Sequence, residues 1–292
     1  MTAPRQYATA GALRAALEAR LLDRAQRELV DLQRLRRQVA FDRLLARMFA
    51  PSNDGRDGWV LKGGYAMELR FRQARSTKDL DLTVRTSGDN SVAALRERLQ
   101  IAAAVQLPDF FVFVVNEAMA ELNQAPEGGA RFPVDARLDG RTFVKFHVDL
   151  GVGDELLEPL EQLSGTDWLG FAGLAAVSVP ALSAEQHWAE KFHAYTRPRD
   201  SANSRVRDLV DLVLLVERHD LDAVRVRQAV TATFGRRRTH DVPLSVPEPP
   251  SLWTKPFLEL AGECKLDHTV ATADRLVATF WESAGVKSPE PS

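Results

Sequence analysis

The chain has 292 residues, of which 45% are hydrophobic and 27% charged, and its formal net charge is −2. This composition is ordinary for a globular protein, the length allows two domains, and the charge excludes the overall basic character of many nucleic-acid binders. The single cysteine, Cys264, excludes an intramolecular disulfide and a cysteine-based metal cluster. No run approaches the roughly 20 apolar residues that cross a bilayer, and the N-terminus has no signal-peptide core, so we expect a cytoplasmic protein without a membrane partner.

The first third of the chain predicts a helix, a strand, a second helix and a second strand. Leucines at helical spacing predict one long helix over residues 11–49. The segment "WVLK" (59–62) predicts a short buried strand, which ends at Gly63-Gly64, and "YAMELRFR" (65–72) predicts a helix. The segment "DLDLTVR" (79–85) alternates apolar and polar residues, and this period of two predicts a strand.

Strands continue to about residue 155, and helices dominate after it. The further predicted elements are a helix over 91–105, strands over 110–115 and 142–153, a helix that begins with a capping box at Ser183 and Gln186, and helices over 205–219, 222–233 and 267–284. This order predicts an α+β fold. We expect a domain over 1–175 with an N-terminal helix and a mixed sheet, and a mostly helical domain over 176–292.

Three carboxylates lie on the polar sides of predicted strands. Asp79 and Asp81 are i and i+2 in one strand, so their side chains point the same way, roughly 6–7 Å apart. Two carboxylates at that spacing repel each other unless a cation lies between them, and Mg²⁺, or Mn²⁺ in its place, prefers such oxygen ligands. Asp149 has the same character in the strand over 142–153. If these strands are neighbours, Asp79, Asp81 and Asp149 form a metal site. His147, beside Asp149, could accept a proton there, although a half-exposed structural histidine is the commoner case.

The glycine pair between a strand and a helix start is a candidate phosphate site. Backbone N–H groups at Gly63 and Gly64 can approach an anion closely, and the helix dipole favours phosphate there. A lone glycine pair is more often a turn, and a lone D-x-D is more often a solvated sheet face. The combined order of strand, glycine pair, helix, D-x-D and later strand carboxylate is typical of nucleotidyltransferases with a polymerase-β-type palm.

Four segments of the sequence together resemble the motifs of one protein family. "LKGGYAMELR" followed by "RSTKDLDL" resembles the first motif of the AbiEii/AbiGii toxin nucleotidyltransferases, which include mycobacterial toxins of the MenT group. "AEKFHAYT" and "SRVRDLVDLVLL" resemble the family's downstream lysine and RDLxDL motifs. The resemblance spans roughly residues 59 to 216 and implies a polymerase-β-like nucleotidyltransferase domain.

The resemblance also implies roles for particular residues. It implies catalytic roles for Asp79, Asp81, Lys191 and Asp211. It implies nucleotide contacts for Lys62, Gly63, Gly64, Thr77, Lys191 and Asp208. Ordinary helix ion pairs at i, i+3 and i, i+4 with Arg205 and Arg207 account for part of the charge around Asp208 and Asp211, and Lys191 alone would suit a helix surface whose lysine stem covers apolar neighbours.

The activity that the resemblance implies is transfer of a nucleoside monophosphate from an NTP to the 3′ acceptor end of tRNA, which would block translation. A cognate antitoxin is then the implied protein partner, and the arginines at 236–238 are a candidate RNA contact. Two alternatives stay open. The acceptor could be a protein hydroxyl, for example on the antitoxin, or the chain could bind RNA or its partner without turnover. The sequence leaves the choice of NTP and of tRNA open.

Overall fold

The computed structural model describes residues 6–50, 58–85, 88–122, 125–198 and 205–285. The chain divides into two compact units. The first unit runs to Leu69 and also contains Thr77–Gly153 and Gln162–Ala181. The second contains Arg70–Ser76, Asp154–Glu161 and the chain from Leu182 onward. The expected α+β class is confirmed, because the described residues combine a mixed sheet with a helical C-terminal portion.

The N-terminal helix predicted over 11–49 is two helices, α1 (Ala10–Glu28) and α2 (Leu32–Met48). Leu29 ends α1 in the left-handed conformation, with φ of 54°, and its N–H donates to the carbonyl of Ala25. The side chain of Asp31 then accepts a hydrogen bond from the N–H of Arg34 and so begins α2. The prediction of one helix is wrong because leucine periodicity continues on both sides of the break, and leucine rarely adopts a positive φ.

The described strands of the first unit form one mixed sheet. In chain order they are β1 (Trp59–Lys62), β2 (Asp79–Val84), β3 (Phe111–Val115), β4 (Ala120–Glu121), β5 (Gly129–Leu138), β6 (Arg141–Val152), β7 (Glu161–Ser164) and β8 (Ser178–Ala181). Their order across the sheet is β3-β5-β6-β2-β1-β8-β7, with β4 also paired to β5. β2 runs parallel to β6 and antiparallel to β1.

The sequence pattern does not predict β5, β7 or β8. β5 carries Pro133, and a proline argues against a central strand because it removes a ladder hydrogen bond. β7 and β8 lie beyond the last predicted strand, so strands extend further along the chain than predicted. Both strands have only four residues, too few for a clear alternation.

The apolar sides of β2 and β6 face the core of the first unit. Leu80, Leu82, Val148 and Leu150 are fully buried there. The aromatic ring of Phe41, in α2, packs edge-on against Phe146 on the same side of β6. Because side chains alternate across a strand, the residues between these apolar positions point to the opposite face, which therefore carries the three predicted carboxylates.

Two shorter helices complete the part of the first unit that bears on the site. α3 (Gly63–Arg70) begins at the glycine pair itself, directly after β1, two residues before the predicted start. α4 (Val92–Ala103) begins at Ser91, whose hydroxyl accepts from the N–H of Ala94, and packs against β3 and β5. The chain leaves α3 and reaches β2 through a turn at Thr77.

The second unit is built from helices. They are α5 (Ala184–Thr196), α6 (Val206–Arg218), α7 (Ala223–Arg237), α8 (Thr254–Glu263) and α9 (Val270–Ser283). The Ser183 hydroxyl caps α5 as predicted, but the Gln186 side chain bonds to the backbone of Glu155 and Leu157. α8 is not predicted, because Pro256 interrupts its pattern, yet a proline is tolerated in the first turn of a helix. No described helix is long and apolar enough to span a membrane.

Candidate active site

Four neighbouring strands place charged residues in one row across the polar face of the sheet. Lys62 in β1 lies opposite Asp81 in β2, and Asp81 lies beside Asp149 in β6. Asp149 in turn lies opposite Arg131 in β5. Directly opposite residues share a face, with Cβ atoms about 4.5–5.5 Å apart. The row is therefore Lys62, Asp81, Asp149 and Arg131, with two carboxylates between two cations.

Asp79 lies one step along the same face. Its Cα partner in β6 is His147, whose Nδ1 is 3.2 Å from Asp79 Oδ1. Arg131 Nη2 is 3.5 Å from Asp79 Oδ2. The Asp79 side chain remains 32% exposed, so its carboxylate can be reached from solvent. Because β2 and β6 are neighbours, the structure brings Asp79, Asp81 and Asp149 together on this face.

Arg131 makes a bidentate ion pair with Asp149. Arg131 Nε is 2.7 Å from Oδ1, and Nη2 is 2.7 Å from Oδ2. Hydrogen bonding to Asp149 is the largest influence on the pKa of Arg131 and raises it above its ordinary value. Sequence reasoning missed this arginine because β5, the strand that places it on the carboxylate face, is not predicted.

The two glycines are required by the close approach of α3 to the Asp81 strand and the Thr77 turn. A Cβ on Gly63 would lie 2.0 Å from Asp81 Oδ2, and the φ of Gly63 is +66°. A Cβ on Gly64 would lie 2.7 Å from Thr77 Oγ1. The N–H of Gly64 donates to Asp81 Oδ2 at 3.3 Å. The backbone at the start of α3 is thus in direct contact with a predicted catalytic carboxylate.

Glu68 holds the turn that leads into β2. Its Oε1 accepts the N–H of Thr77 at 2.7 Å, and its Oε2 accepts from Arg34 Nε at 3.1 Å and from the side-chain amide of Gln38. The Thr77 hydroxyl donates to the carbonyl of Asp79 at 3.1 Å. The Glu68 side chain is only 2% exposed. Thr77 is therefore a turn residue held in place by side chains of α2 and α3. The motif "LKGGYAMELR" contains Glu68, but the resemblance implies no role for it.

The donor set on this face suits a hard divalent cation with two protein carboxylates. Asp79 and Asp81 offer oxygen ligands on one side of β2, and Mg²⁺ is commonly held by one or two carboxylates together with water and substrate phosphates. Among the described residues, no group of three or more His, Cys, Asp or Glu side chains is arranged to hold a metal ion. Substrate oxygens would therefore complete the coordination.

The second unit contains its own charged cluster around Asp211 in α6. Asp211 is fully buried and accepts two hydrogen bonds from Arg75, at 2.9 Å from Nε and 2.7 Å from Nη2. Lys191 Nζ lies 2.8 Å from Asp211 and 3.4 Å from Asp208. Arg205 lies 3.3 Å from Asp208, which is the predicted i, i+3 pair. The structure thus brings Lys191, Asp208 and Asp211 together and adds Arg75, which sequence reasoning missed.

Electrostatic interactions keep Asp211 and Lys191 charged. Burial alone would raise the pKa of Asp211, but the charges of Arg75 and Lys191 outweigh burial and hold that pKa well below its usual range. Burial likewise favours a lower pKa for Lys191, whereas Asp211 and Asp208 raise it above its ordinary value. Lys191 is accordingly a cation and Asp211 a carboxylate at neutral pH.

The predicted RNA-contacting arginines are partly engaged within the second unit. Arg237 pairs with Asp154 at 2.9 Å and with Glu190 at 3.3 Å, and its side chain is only 14% exposed. Arg238 ends α7 in the left-handed conformation, with φ of 47°. The middle arginine of this segment therefore stabilises the unit itself and is poorly placed to contact a phosphate backbone.

The strand, glycine pair and helix, followed by a D-x-D strand in a mixed sheet, define the class of protein as a nucleotidyltransferase. Residues 43–278 match the family model described as "Nucleotidyl transferase AbiEii toxin, Type IV TA system". The chain belongs to this AbiEii family of nucleotidyltransferase toxins, so the resemblance and the enzyme class predicted from the motifs are confirmed. Membership implies an NTP substrate and an antitoxin as partners.

A solved structure of a nucleotidyltransferase toxin shows the same fold. The nucleotidyltransferase toxin MenT4, Rv2826c from Mycobacterium tuberculosis H37Rv, matches with a TM-score of 0.55 and 19% identity over 93% of this chain and 97% of its own. JHP933 from Helicobacter pylori matches with a TM-score of 0.44 and 13% identity over 85% of this chain and 94% of its own. No curated protein sequence matches the chain at a significant level.

Proposed function

We propose that this nucleotidyltransferase is metal-dependent and transfers a nucleoside monophosphate from an NTP to the 3′ acceptor end of a tRNA, which would block translation. One observation carries the proposal. Asp79 and Asp81 project side by side from β2, and the backbone of Gly63 and Gly64 lies against Asp81. Carboxylates and a glycine-bounded helix start are the groups that a metal-bound triphosphate needs.

Asp79 and Asp81 would hold Mg²⁺ or Mn²⁺, which when bound would neutralise the triphosphate and favour loss of the proton from the acceptor hydroxyl. Gly63 and Gly64 allow the start of α3 to lie directly against Asp81, so backbone N–H groups of the helix start would flank the phosphates. Lys62, opposite Asp81, adds positive charge at the same position in the sheet. Most of the catalysis is then positioning and charge stabilisation by the chain's own residues.

The transfer itself is an in-line displacement. The 3′-oxygen of the acceptor loses its proton to solvent and forms a bond to the α-phosphorus. The bond between that phosphorus and the bridging oxygen to the β-phosphate breaks, and pyrophosphate leaves. For the second unit we propose the roles that the family resemblance implies. Lys191 contacts the triphosphate with Asp208 beside it, and Asp211 keeps Lys191 charged and in position.

The decisive experiment supplies each of the four labelled NTPs in turn with total tRNA and either Mg²⁺ or Mn²⁺. We expect label at the 3′ end of tRNA with at least one NTP, and sequencing of the 3′ ends then gives both acceptor and added base. Asp81→Asn should abolish transfer, whereas Asp89→Asn, at an exposed acid outside the row, should leave it unchanged.

Two results would contradict the proposal. One is the absence of transfer with all four NTPs and both metals. The other is an Asp81→Asn variant that transfers as well as the unaltered protein. Label that moves to an added antitoxin, in place of tRNA, would redirect the acceptor to a protein hydroxyl and keep the metal-dependent chemistry.

A further inference from the structure

Arg131 is a cation on the carboxylate face that no motif of the sequence assigns. We propose that Arg131 contacts a phosphate group of the substrate, and that Asp149 is the residue that positions Arg131 and is not a metal ligand. The inference rests on the proposed nucleotidyl transfer at the same site. It changes the expected metal site from three protein carboxylates to two.

Both oxygens of Asp149 are engaged by the guanidinium of Arg131. The two contacts, Nε to Oδ1 and Nη2 to Oδ2, are each 2.7 Å. Such paired, charge-assisted bonds are the strong form of the arginine–carboxylate interaction and fix the plane of the guanidinium. The Asp149 side chain is also only 12% exposed. A metal ion would have to displace the arginine to reach this carboxylate.

The remaining nitrogen of Arg131 is available to a ligand. Nε and Nη2 face Asp149, and Nη2 also lies 3.5 Å from Asp79, but Nη1 has no hydrogen-bond partner among the described residues. The Arg131 side chain is 34% exposed, so the two N–H groups of Nη1 can be reached from solvent. A guanidinium whose plane is already fixed suits a phosphate oxygen.

Asp79 differs from Asp149 in this respect. Among the described residues, the Asp79 side chain contacts His147 at 3.2 Å and Arg131 at 3.5 Å, and neither contact is bidentate. Its carboxylate is 32% exposed. Asp79 can therefore still bind a cation, whereas both carboxylate oxygens of Asp149 are already paired with Arg131. The fixed guanidinium adjoins the position where the phosphates of a metal-bound triphosphate would lie.

The test compares Arg131→Gln, Arg131→Lys, Asp149→Asn and the Arg131→Gln/Asp149→Asn double variant of the full chain. Arg137→Gln is the matched control, since Arg137 lies on the same strand and pairs with Asp135 at 2.8 Å. Calorimetry measures binding of non-hydrolysable α,β-methylene analogues of the four NTPs with Mg²⁺. Electron paramagnetic resonance measures Mn²⁺ binding, and steady-state kinetics give the KM for tRNA.

If Arg131 contacts the triphosphate, Arg131→Gln should weaken binding of the analogue about 10- to 100-fold, as expected for a charged hydrogen bond. Asp149→Asn should weaken it by a similar factor, and the double variant should be no worse than either single one, because both changes act through one guanidinium. Mn²⁺ binding should survive in Asp149→Asn but be lost in Asp81→Asn. Arg131→Lys, which keeps the charge, should be intermediate and covers the case in which the glutamine variant does not fold.

The analogue affinity and the KM for tRNA together show whether Arg131 contacts a phosphate of the triphosphate or of the acceptor. Weaker analogue binding places Arg131 on the triphosphate, whereas an unchanged analogue affinity with a raised KM for tRNA places it on a phosphate of the acceptor. Either result supports the proposal. Loss of Mn²⁺ binding in Asp149→Asn as severe as in Asp81→Asn would overturn it, as would an Arg131→Gln variant with both quantities unchanged. Because the binding measurements need no turnover, failure of tRNA transfer alone would leave this inference standing.

Discussion

Two pairs of acidic residues in apolar segments behave in opposite ways in this protein. Asp79 and Asp81 lie at i and i+2 on a strand, and Asp79 is 32% exposed. Asp208 and Asp211 lie at i and i+3 on a helix, and Asp211 is fully buried. The strand pair adjoins backbone N–H groups and a partly exposed arginine. The helix pair is surrounded by cations of its own unit.

This difference separates two uses of a carboxylate. A partly exposed carboxylate can exchange its partners, and so it can bind a metal ion that arrives with the nucleotide. Asp211 is fully buried and already paired with Arg75 and Lys191 at 2.7–2.9 Å, so it is poorly placed to bind a further cation. Removing one partner of such a buried group is strongly destabilising, because the remaining charges lose their compensation. Asp211 therefore holds the cations of its own unit, whereas we propose that Asp79 binds a metal ion.

The largest predicted effect is on the stability of an Asp211→Asn variant. Its neutral amide would leave Arg75 and Lys191 poorly compensated in a buried environment, and we expect the free energy of unfolding to fall by about 3–5 kcal/mol. Asp79→Asn should change it by less than about 1 kcal/mol, because that group is partly exposed, while abolishing transfer. Urea denaturation measures both variants, and an Asp211→Asn protein as stable as the unaltered one would contradict the assigned role.

The pH dependence of stability gives a second test of Asp211. Its pKa in the folded protein is held below the ordinary value of 3.8. The stabilisation is therefore fully present above about pH 5 and is lost as the pH falls further. The difference in unfolding free energy between the unaltered protein and Asp211→Asn should shrink from pH 5 toward pH 2. A difference that stays constant over this range would show that the charge of Asp211 does not stabilise the fold.

Gly63→Ala should damage the strand site with little additional effect on stability. The new Cβ would meet Asp81 Oδ2 at 2.0 Å, so the carboxylate or the start of α3 must move. We expect transfer to fall about 100-fold, since small displacements of catalytic groups have effects of this order. The measurement is the initial rate with the preferred NTP and tRNA.

Gly140→Ala is the matched control for Gly63→Ala. Gly140 has a φ of +67°, against +66° for Gly63, but nothing lies within 4 Å of a Cβ built on it. Both variants should lose about 1–2 kcal/mol of stability from the left-handed backbone. Only Gly63→Ala should lose activity. Equal activities of the two variants would mean that the approach to Asp81 is unimportant.

The sequence predicted which carboxylates lie on the polar face of the sheet, but it did not predict the residues that contact them. Alternation in β2 and β6 was enough to place Asp79, Asp81 and Asp149 on the side away from the core, because one buried face fixes the direction of every side chain. The break at Leu29 could not be predicted, because the apolar period continues across it. Arg131 and Arg75 could not be predicted either. Arg131 lies on β5, which the pattern does not predict because it contains Pro133. Arg75 pairs with Asp211, which lies 136 residues further along the chain.

Substitution of Glu68 should reduce transfer less than Gly63→Ala does, because it changes only the turn that leads into β2. Glu68→Gln keeps an acceptor for the N–H of Thr77 but places an amide N–H₂ against the side chains of Gln38 and Arg34. We expect about a 10-fold loss of transfer, expressed in kcat, because the turn that leads to Asp79 is displaced. Glu68→Gln/Gln38→Glu restores the carboxylate–amide pair with the two groups exchanged and should recover most of the rate.

Glu18→Gln is the matched control, since Glu18 also pairs with an arginine of α2, Arg36, at 2.7 Å but lies outside the turn. It should leave kcat unchanged. An exchange variant no better than Glu68→Gln would show that the carboxylate is needed at position 68 for another reason. Glu68 would then act through its charge and not through the geometry of the turn, and it would be a third acidic group to compare with the two pairs.

The last prediction concerns Asp42, a second buried carboxylate in opposite surroundings to Asp211. Asp42 accepts from the Tyr65 hydroxyl at 2.6 Å and from the N–H of Thr166 at 3.1 Å, and burial raises its pKa to about 7. A raised carboxyl pKa means that the folded protein binds the proton more tightly, so stability falls as the pH rises from about 4 to about 7.

Asp42→Asn removes that titration. The unfolding free energy of the variant, relative to that of the unaltered protein, should therefore rise between pH 5 and pH 8. Any pH-independent effect of the amide shifts both values equally. Urea denaturation at the two pH values measures the change. A relative stability that stays constant between pH 5 and pH 8 would mean that Asp42 is already ionised in the fold at pH 5, as Asp211 is. The opposite signs expected for the two aspartates follow from their partners, because Asp211 is bonded to two cations and Asp42 to a hydroxyl and an amide.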